Sequence, residues 1–198
     1  MARTLEGGAV SSSLVYHVAL YLHILGAFGL IAAITVEAIG LRGLRGATRS
    51  DEALIGISRG IVMRLAPASL GLILVTGLYM MATTWGPRGW ILAALASLVL
   101  LAIVGAFGTG VRMARTGPAV GRAQGPLSDE LRSTLRDPIL LTSLWVRSAI
   151  VLGIALLMTL KPSGLASLVI IVFAVAIGLM AGQLAARRSR NEYATEAG

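Results

Sequence analysis

The sequence predicts an all-α protein, a polytopic membrane bundle of five transmembrane helices that forms one domain over residues 1–198. Of the 198 residues, 56% are hydrophobic and only 13% are charged, and the mean hydropathy is +0.83. A soluble domain carries about 25% charged residues, because it needs a water-facing surface. This chain lacks the polar residues for such a surface, so we expect a lipid bilayer to surround it.

Five apolar stretches define the predicted spans, since a helix needs about 20 apolar residues to cross the hydrocarbon. The spans are predicted over residues 14–41, 62–84, 89–112, 138–160 and 164–186. Between the third and fourth spans, Ser128 is placed to cap a short helix over 128–136. Leu127, Leu131 and Leu135 recur there at intervals of four, which is typical of a helix lying at the membrane surface.

The basic residues predict the orientation of the chain. Thirteen of them lie in the segments 42–64, 112–136 and 187–190, and the opposite side has only Arg3, Arg88 and Lys161. Basic residues concentrate on the cytoplasmic side of membrane proteins. We therefore expect the N-terminus outside and the C-terminus inside, in a multi-pass protein of a bacterial inner (cytoplasmic) membrane. Because the basic residues flank spans, they do not indicate a nucleic-acid partner.

One short string occurs twice and predicts an internal repeat. Residues 21–29 (YLHILGAFG) and 100–108 (LLAIVGAFG) match at six of nine positions. This favours a parallel two-helix repeat, spans one and two against spans three and four; the alternative is chance recurrence in Gly- and Ala-rich helices. The shared glycines are expected to pack helices closely, or else to admit a flat ring such as haem. They are Gly26, Gly29, Gly105 and Gly108.

Two charged residues inside the spans predict an ion pair. A charge in the membrane costs roughly 2.5–3.5 kcal/mol on insertion scales. Glu37 is expected near the inner end of span one, and Arg147 is long enough to reach inward to it. We interpret the pair as a structural clamp. The alternatives are a proton or ion relay, or an Arg147 that receives an anionic group such as a haem propionate or a lipid phosphate.

The histidines and methionines near the outer end predict a soft metal site. His17 and His23 project about 120° apart on a helix, whereas His23 lies within about 40° of Glu37 and so should face the interior. Imidazole and thioether ligands without cysteine suit Cu(I). The candidate ligands are His23, His17, Met80, Met81 and Met158. The alternatives are methionines that only fill the core, or a haem b with His23 as an axial ligand.

The sequence also resembles a known family. LHILGA in the first span, LRGLRGATRSDEAL after it and TGLYM at the end of the second resemble bacterial integral membrane proteins of unknown function. These are similar to the copper-resistance D membrane family. The resemblance covers roughly residues 14–115. It implies a helical bundle, copper movement or tolerance, and a role for His23, although the later helices here have no second histidine.

Three functions therefore stay open. The first is copper handling, the second is a b-type haem protein of redox or haem metabolism, and the third is a non-catalytic membrane subunit or scaffold. No motif of a metalloprotease, a serine hydrolase or a phosphate-binding loop is present, so the sequence does not indicate an enzyme. The expected partners are the lipid bilayer and a further copy of the chain or other membrane subunits.

Overall fold

The computed structural model describes residues 2–47, 59–122 and 125–196, with side chains for 13–47, 64–120, 122 and 125–189. Residues 48–58, part of the predicted arginine-rich inner segment, lie outside the described residues. Seven α-helices form within the described ranges. They are α1 (Ala2–Gly46), α2 (Arg59–Met80), α3 (Gly89–Gly105), α4 (Val111–Arg122), α5 (Asp129–Leu135), α6 (Pro138–Leu160) and α7 (Gly164–Glu196).

Two π-helical turns lengthen these helices. Met81–Trp85 continues α2 to its end, and Ala106–Gly110 joins α3 to α4, so that the third span is continuous. After the first turn, Gly86 adopts φ 67° and donates its N–H to the carbonyl of Met81 at 2.8 Å. A positive φ suits glycine, which has no Cβ. The chain can thus reverse into α3 within a few residues.

Among the described residues, five helical segments are long and apolar enough to cross a membrane, which confirms the predicted five-helix architecture and identifies a multi-pass membrane protein. They are Ser13–Gly46, Arg64–Trp85, Gly89–Val120, Asp129–Leu160 and Gly164–Ser189. Several helices extend beyond the predicted spans, most clearly α1, which begins at Ala2, and α7, which ends at Glu196. A span predicted from hydropathy ends at the first polar residues, whereas a helix continues until its backbone hydrogen bonding is interrupted.

The helices form two packing units. α2 runs antiparallel along α1, while α3, α6 and α7 pack together as a three-helix unit. The two units meet where α1 contacts α6, and the largest buried cluster lies at this junction. Its members include Leu30, Ile34, Leu144 and Ile150. The core of the protein therefore joins its first and last helical pairs.

Aromatic side chains gather at one end of the bundle, which we call the tryptophan end. The indole Nε1 of Trp85 donates to the Tyr16 hydroxyl at 3.2 Å, and the Trp85 and Trp90 rings meet edge to face at 5.8 Å. Lys161 ends α6 in the left-handed conformation, with its Nζ 4.2 Å from the Trp85 ring centroid. A cation over an aromatic face is attractive. These contacts hold three helix ends together.

The opposite end of the bundle, the arginine-rich end, has its own small core. Ser128 caps α5 by accepting the N–H of Leu131 at 3.3 Å, as predicted from the sequence. Leu44, Val120 and Leu135 bury their side chains together beside this helix. Beside them, the buried Arg45 side chain donates to the Arg136 and Asp137 carbonyls and to the Ser189 hydroxyl. The ends of α1, α5, α6 and α7 are therefore connected.

Candidate functional site

The side chain of His23 projects from α1 toward α2 and makes two hydrogen bonds there. Its Nδ1 is 3.1 Å from the carbonyl oxygen of Ile73 and 3.0 Å from the hydroxyl of Thr76. A carbonyl oxygen can only accept, so the ring proton is on Nδ1. The Thr76 hydroxyl in turn donates to the Leu72 carbonyl at 2.6 Å, which leaves its oxygen free to accept from His23.

The second ring nitrogen of His23 has a different environment. Within the described ranges, Nε2 has no hydrogen-bond partner, and the side chain is only half buried. A histidine whose Nδ1–H is fixed by a carbonyl presents the Nε2 lone pair in a set direction. This is the arrangement that metal-ligating histidines use, and equally it is a hydrogen-bonded clamp between two helices.

One of the predicted methionines lies one helical turn along α2 from Thr76, a hydrogen-bond partner of His23. Gly77 contacts the imidazole so closely that a Cβ there would lie 3.2 Å from Cε1. Met80 follows Thr76 by one helical turn and is buried, whereas Met81 is half buried. Helical side chains lean toward the N-terminus, so Met80 extends back toward the turn that holds His23.

The other two predicted ligands lie elsewhere. His17 is exposed, its Nδ1 is 2.6 Å from the carbonyl of Ser13, and its ring meets Tyr16 edge to face. Met158 packs against the cluster of Ala93, Ala94 and Leu157 in the three-helix unit. In the described part of the chain, no group of three or more His, Cys, Asp or Glu side chains could hold a metal ion. Met158 is therefore separated from the α1–α2 unit, which carries the other four candidates.

Glu37 and Arg147 form an ion pair between α1 and α6. Arg147 Nη1 donates to Glu37 Oε2 at 2.8 Å, and Nη2 donates to Glu37 Oε1. Nη2 also lies 3.1 Å from the Thr109 hydroxyl, and Nε lies 3.3 Å from the Ser143 carbonyl. The side chains of Arg147 and Glu37 are only 8% and 10% exposed. This is the pairing expected from their depths in the spans.

His23 and the ion pair do not share one site, in contrast to the interior face expected from helical phase. His23 contacts α2, whereas Glu37 contacts α6. Fourteen residues separate them on α1, a rise of about 21 Å. Their angular positions on α1 predicted that both residues face the same side. The helix that packs against that side, however, changes along the length of α1.

A cavity of about 630 Å³ opens beside the ion pair, between α1, α2 and α3. We call it the cleft. Apolar residues of α1 and α2, including Leu30, Ile34 and Leu70, form one wall. The facing wall of the third span has small residues: Ala102, Gly105, Ala106 and Gly110. Arg147 and Glu37 contribute its charged groups, and His23 is not among the residues that line it.

The glycines of the repeated string pack against corresponding positions on the next long apolar helix. A Cβ on Gly29 would lie 2.5 Å from the Ser69 hydroxyl, and a Cβ on Gly108 would overlap the Ser143 side chain. One turn closer to the tryptophan end, a Cβ on Gly26 would meet Ile73, and one on Gly105 would lie 3.3 Å from Cδ of Arg147. These glycines allow close approach of helix backbones, as small residues do in membranes.

Four polar residues of these sites were not identified from the sequence. They are Thr76 beside His23, Thr109 beside Arg147, and the two serines that face the glycines, Ser69 and Ser143. A hydroxyl inside an apolar span is itself a signal, because it needs a hydrogen-bond partner. The sequence does not say, however, whether that partner is the residue's own helix, as for most membrane serines and threonines, or a neighbour.

No protein-family model, curated protein or solved structure matches the chain. The class of protein that its fold defines is a five-helix, multi-pass membrane bundle. Any more specific assignment rests on the chemistry of the residues described above.

Proposed function

We propose that the protein handles Cu(I) in a bacterial cytoplasmic membrane, with His23 as its central ligand. The observation that carries this proposal is the environment of the imidazole. Nδ1–H is fixed to Ile73 and Thr76 on α2, and Nε2 is left with a lone pair and no partner among the described residues. Such a fixed tautomer is the usual preparation of a histidine ligand.

The chemistry of the neighbouring side chains supports copper rather than a harder metal. Met80 lies one turn from Thr76, and its thioether is a soft ligand that Cu(I) prefers. Met81 follows it at the same end. The copper ion is the cargo in this proposal, held by an imidazole and thioethers. The family resemblance of LHILGA around His23 is consistent with this function.

A haem b protein is less well supported by the geometry. That alternative requires His23 as an axial ligand and Arg147 as the partner of a propionate. His23 lies outside the cleft that Arg147 lines, and the two helices that hold it pack closely around its Nδ1 side. A non-catalytic subunit remains the third alternative, because the same hydrogen bonds of His23 clamp α1 to α2.

Copper binding by purified protein tests the proposal. We expect the detergent-solubilised chain to bind Cu(I) in competition with a colorimetric chelator, and we expect His23→Ala and Met80→Leu to weaken that binding at least tenfold. His17→Ala is the matched control, because His17 is exposed and faces away. Equal binding by wild type and His23→Ala would overturn the proposal. A Soret band that is lost in His23→Ala would favour the haem b alternative. Colourless, metal-free protein would favour the non-catalytic subunit.

We also propose the orientation and the duplication that the sequence predicted. The arginine-rich end is placed in the cytoplasm, on the distribution of basic residues. The duplication is supported by the contacts of Gly29 with Ser69 and of Gly108 with Ser143. In such a duplication Ala102 corresponds to His23 and Arg147 corresponds to Ile73, so the two halves carry different polar groups.

A further inference from the structure

The cleft separates α2 from the third span and is open to the surroundings where lining residues on both are exposed. The two helices are joined at the tryptophan end by a short turn and by the Trp85–Trp90 contact. Further along, Pro67 on α2 and Ala102 and Ala106 on the third span line the cleft and are exposed. A lipid-soluble molecule can therefore reach the cleft sideways.

The deepest part of the cleft offers both a donor and an acceptor. Of the five N–H groups of a guanidinium, four have acceptors in Glu37, Thr109 and Ser143. The fifth, on Nη1, has no acceptor among the described residues. Nη1 lies 3.6 Å from where a Cβ on Gly105 would be, so the absent side chain leaves it open to the cleft. The Glu37 carboxylate also keeps unused lone pairs.

The charge of these groups selects a neutral ligand. Glu37 and Arg147 sum to zero, so repulsion by the carboxylate would offset much of the attraction of an anion to the guanidinium. An ion would in addition lose its hydration on entering, which is costly in a membrane. A neutral hydroxyl or carbonyl oxygen can accept from Nη1, and a hydroxyl can donate to Glu37, without that cost.

The volume of the cleft suits a small molecule. The lining of α1 runs from Leu30 to Leu44, a rise of about 21 Å. The cleft holds about 630 Å³, which is within the range of small-molecule sites.

We propose that the cleft binds a neutral amphiphile whose head carries a hydroxyl or carbonyl oxygen. The head lies at Arg147 and Glu37, and the apolar tail lies along Leu30, Ile34 and Leu70 toward the lipid. Prenyl quinones and diacylglycerols share this chemistry. The site is separate from His23 and does not depend on copper binding.

Ligand-dependent thermal unfolding in detergent tests the proposal. The probes are decylubiquinone and dioctanoylglycerol, which are neutral, and dioctanoyl phosphatidic acid, which is anionic. A ligand that binds only the folded protein raises its unfolding midpoint in a saturable way. We expect at least one neutral probe to do so and the anionic probe to have at least a tenfold lower affinity. Whichever neutral probe binds identifies the lipid class.

Filling the cleft should abolish the effect. Ala102→Phe places a ring in the cleft without touching the ion pair, and Ala96→Phe is the matched control, exposed on the same helix but outside the lining. We expect Ala102→Phe to lose at least tenfold in affinity and Ala96→Phe to bind as wild type does. Ala66→Leu on the opposite wall gives the same test if Ala102→Phe does not fold.

Three outcomes would overturn the proposal. Neither neutral probe shifts the midpoint; the shift is the same in Ala102→Phe and Ala66→Leu as in wild type; or phosphatidic acid binds as tightly as the neutral probes. A dimer that Ala102→Phe dissociates, in the absence of any probe binding, would assign the cleft to a second copy of the chain instead.

Discussion

Arg147 donates two hydrogen bonds to the carboxylate of Glu37, although the two residues are 110 positions apart in the chain. The ion pair joins the α1–α2 unit to the unit of α3, α6 and α7. Lipid provides no hydrophobic driving force between helices, so polar contacts and close packing hold such units together. The pair therefore fixes the relative position of the two halves and forms the polar wall of the cleft.

Removing one partner should destabilise the protein strongly. We expect Glu37→Ala to lower the free energy of unfolding by about 3–5 kcal/mol, because the Arg147 guanidinium is then buried without its counter-charge. The double variant Glu37→Leu, Arg147→Met should recover most of the loss. Denaturant titration in detergent micelles measures both. A Glu37→Ala protein that is as stable as the double variant would contradict the assignment.

A more exposed ion pair gives the comparison for this experiment. Arg112 Nε lies 2.9 Å from Asp137 Oδ2, with side chains 31% and 25% exposed. Pairs of this kind contribute about 0–1 kcal/mol. Arg112→Met should therefore have a clearly smaller effect than Glu37→Ala.

The contact between Gly29 and Ser69 predicts a substitution that is rescued by a second one. Gly29→Ala places a Cβ 2.5 Å from the Ser69 hydroxyl oxygen but 3.5 Å from its Cβ. We expect it to cost about 1–3 kcal/mol through overpacking, and we expect Ser69→Ala in the same protein to restore stability. Gly71→Ala, which meets no atom within 4 Å, is the control and should be neutral or slightly stabilising.

The corresponding pair in the third and fourth long apolar helices should behave differently. A Cβ on Gly108 would lie 2.5 Å from the Cβ of Ser143 as well as overlapping its hydroxyl. Ser143→Ala should therefore fail to rescue Gly108→Ala, whereas Ser143→Gly should succeed. Thermal unfolding of the wild type, Gly108→Ala and the two double variants, Gly108→Ala with Ser143→Ala and Gly108→Ala with Ser143→Gly, separates these cases. Rescue by Ser143→Ala would mean that the two helices are further apart than the structure has them.

Thr76 should tune the proposed copper ligand without binding the metal. Thr76→Val removes the hydroxyl that accepts from Nδ1 of His23. Substitution of such outer partners lowers metal affinity about 10-fold to 100-fold, and we expect a change in that range for Cu(I). Thr83→Val is the control, because the Thr83 hydroxyl donates to the Tyr79 carbonyl on the exposed side. Equal losses in both variants would argue against a specific role.

The proposed orientation can be tested with fusions. An alkaline phosphatase fused after Gly198 should be inactive, because the arginine-rich end is expected in the cytoplasm, where this enzyme does not acquire its disulfides. The same reporter inserted in the turn at 86–88 should be active. The reverse pattern would invert the topology.

The sequence was sufficient for the architecture and for the ion pair, for simple reasons. Span number follows from apolar length, and two charges in neighbouring spans need each other. The angular position of a residue around its helix did not predict which helix it contacts. His23 and Glu37 lie within about 40° of each other on α1, yet His23 contacts α2 and Glu37 contacts α6, because the packing of the whole bundle sets the neighbours.

The cleft could not be predicted from the sequence for a related reason. Its small residues, such as Ala102 and Gly105, read as helix-packing positions, and Gly105 does contact Arg147 of α6. The space beside them lies between α1, α2 and the third span and depends on how these helices pack together. Whether a cavity forms depends on which side chains of other helices reach the space, and the sequence does not indicate that.

The small core of Leu44, Val120 and Leu135 has a consequence for how the molecule responds to its solvent. The third span begins at Gly89, and about 20 residues cross the hydrocarbon, so Val120 lies roughly 15 Å beyond it. That cluster is stabilised by the exclusion of water, whereas the helices inside the bilayer are not. Urea should therefore melt the arginine-rich end first and leave the spans associated. One continuous helix would then contain two regions with different denaturant sensitivity.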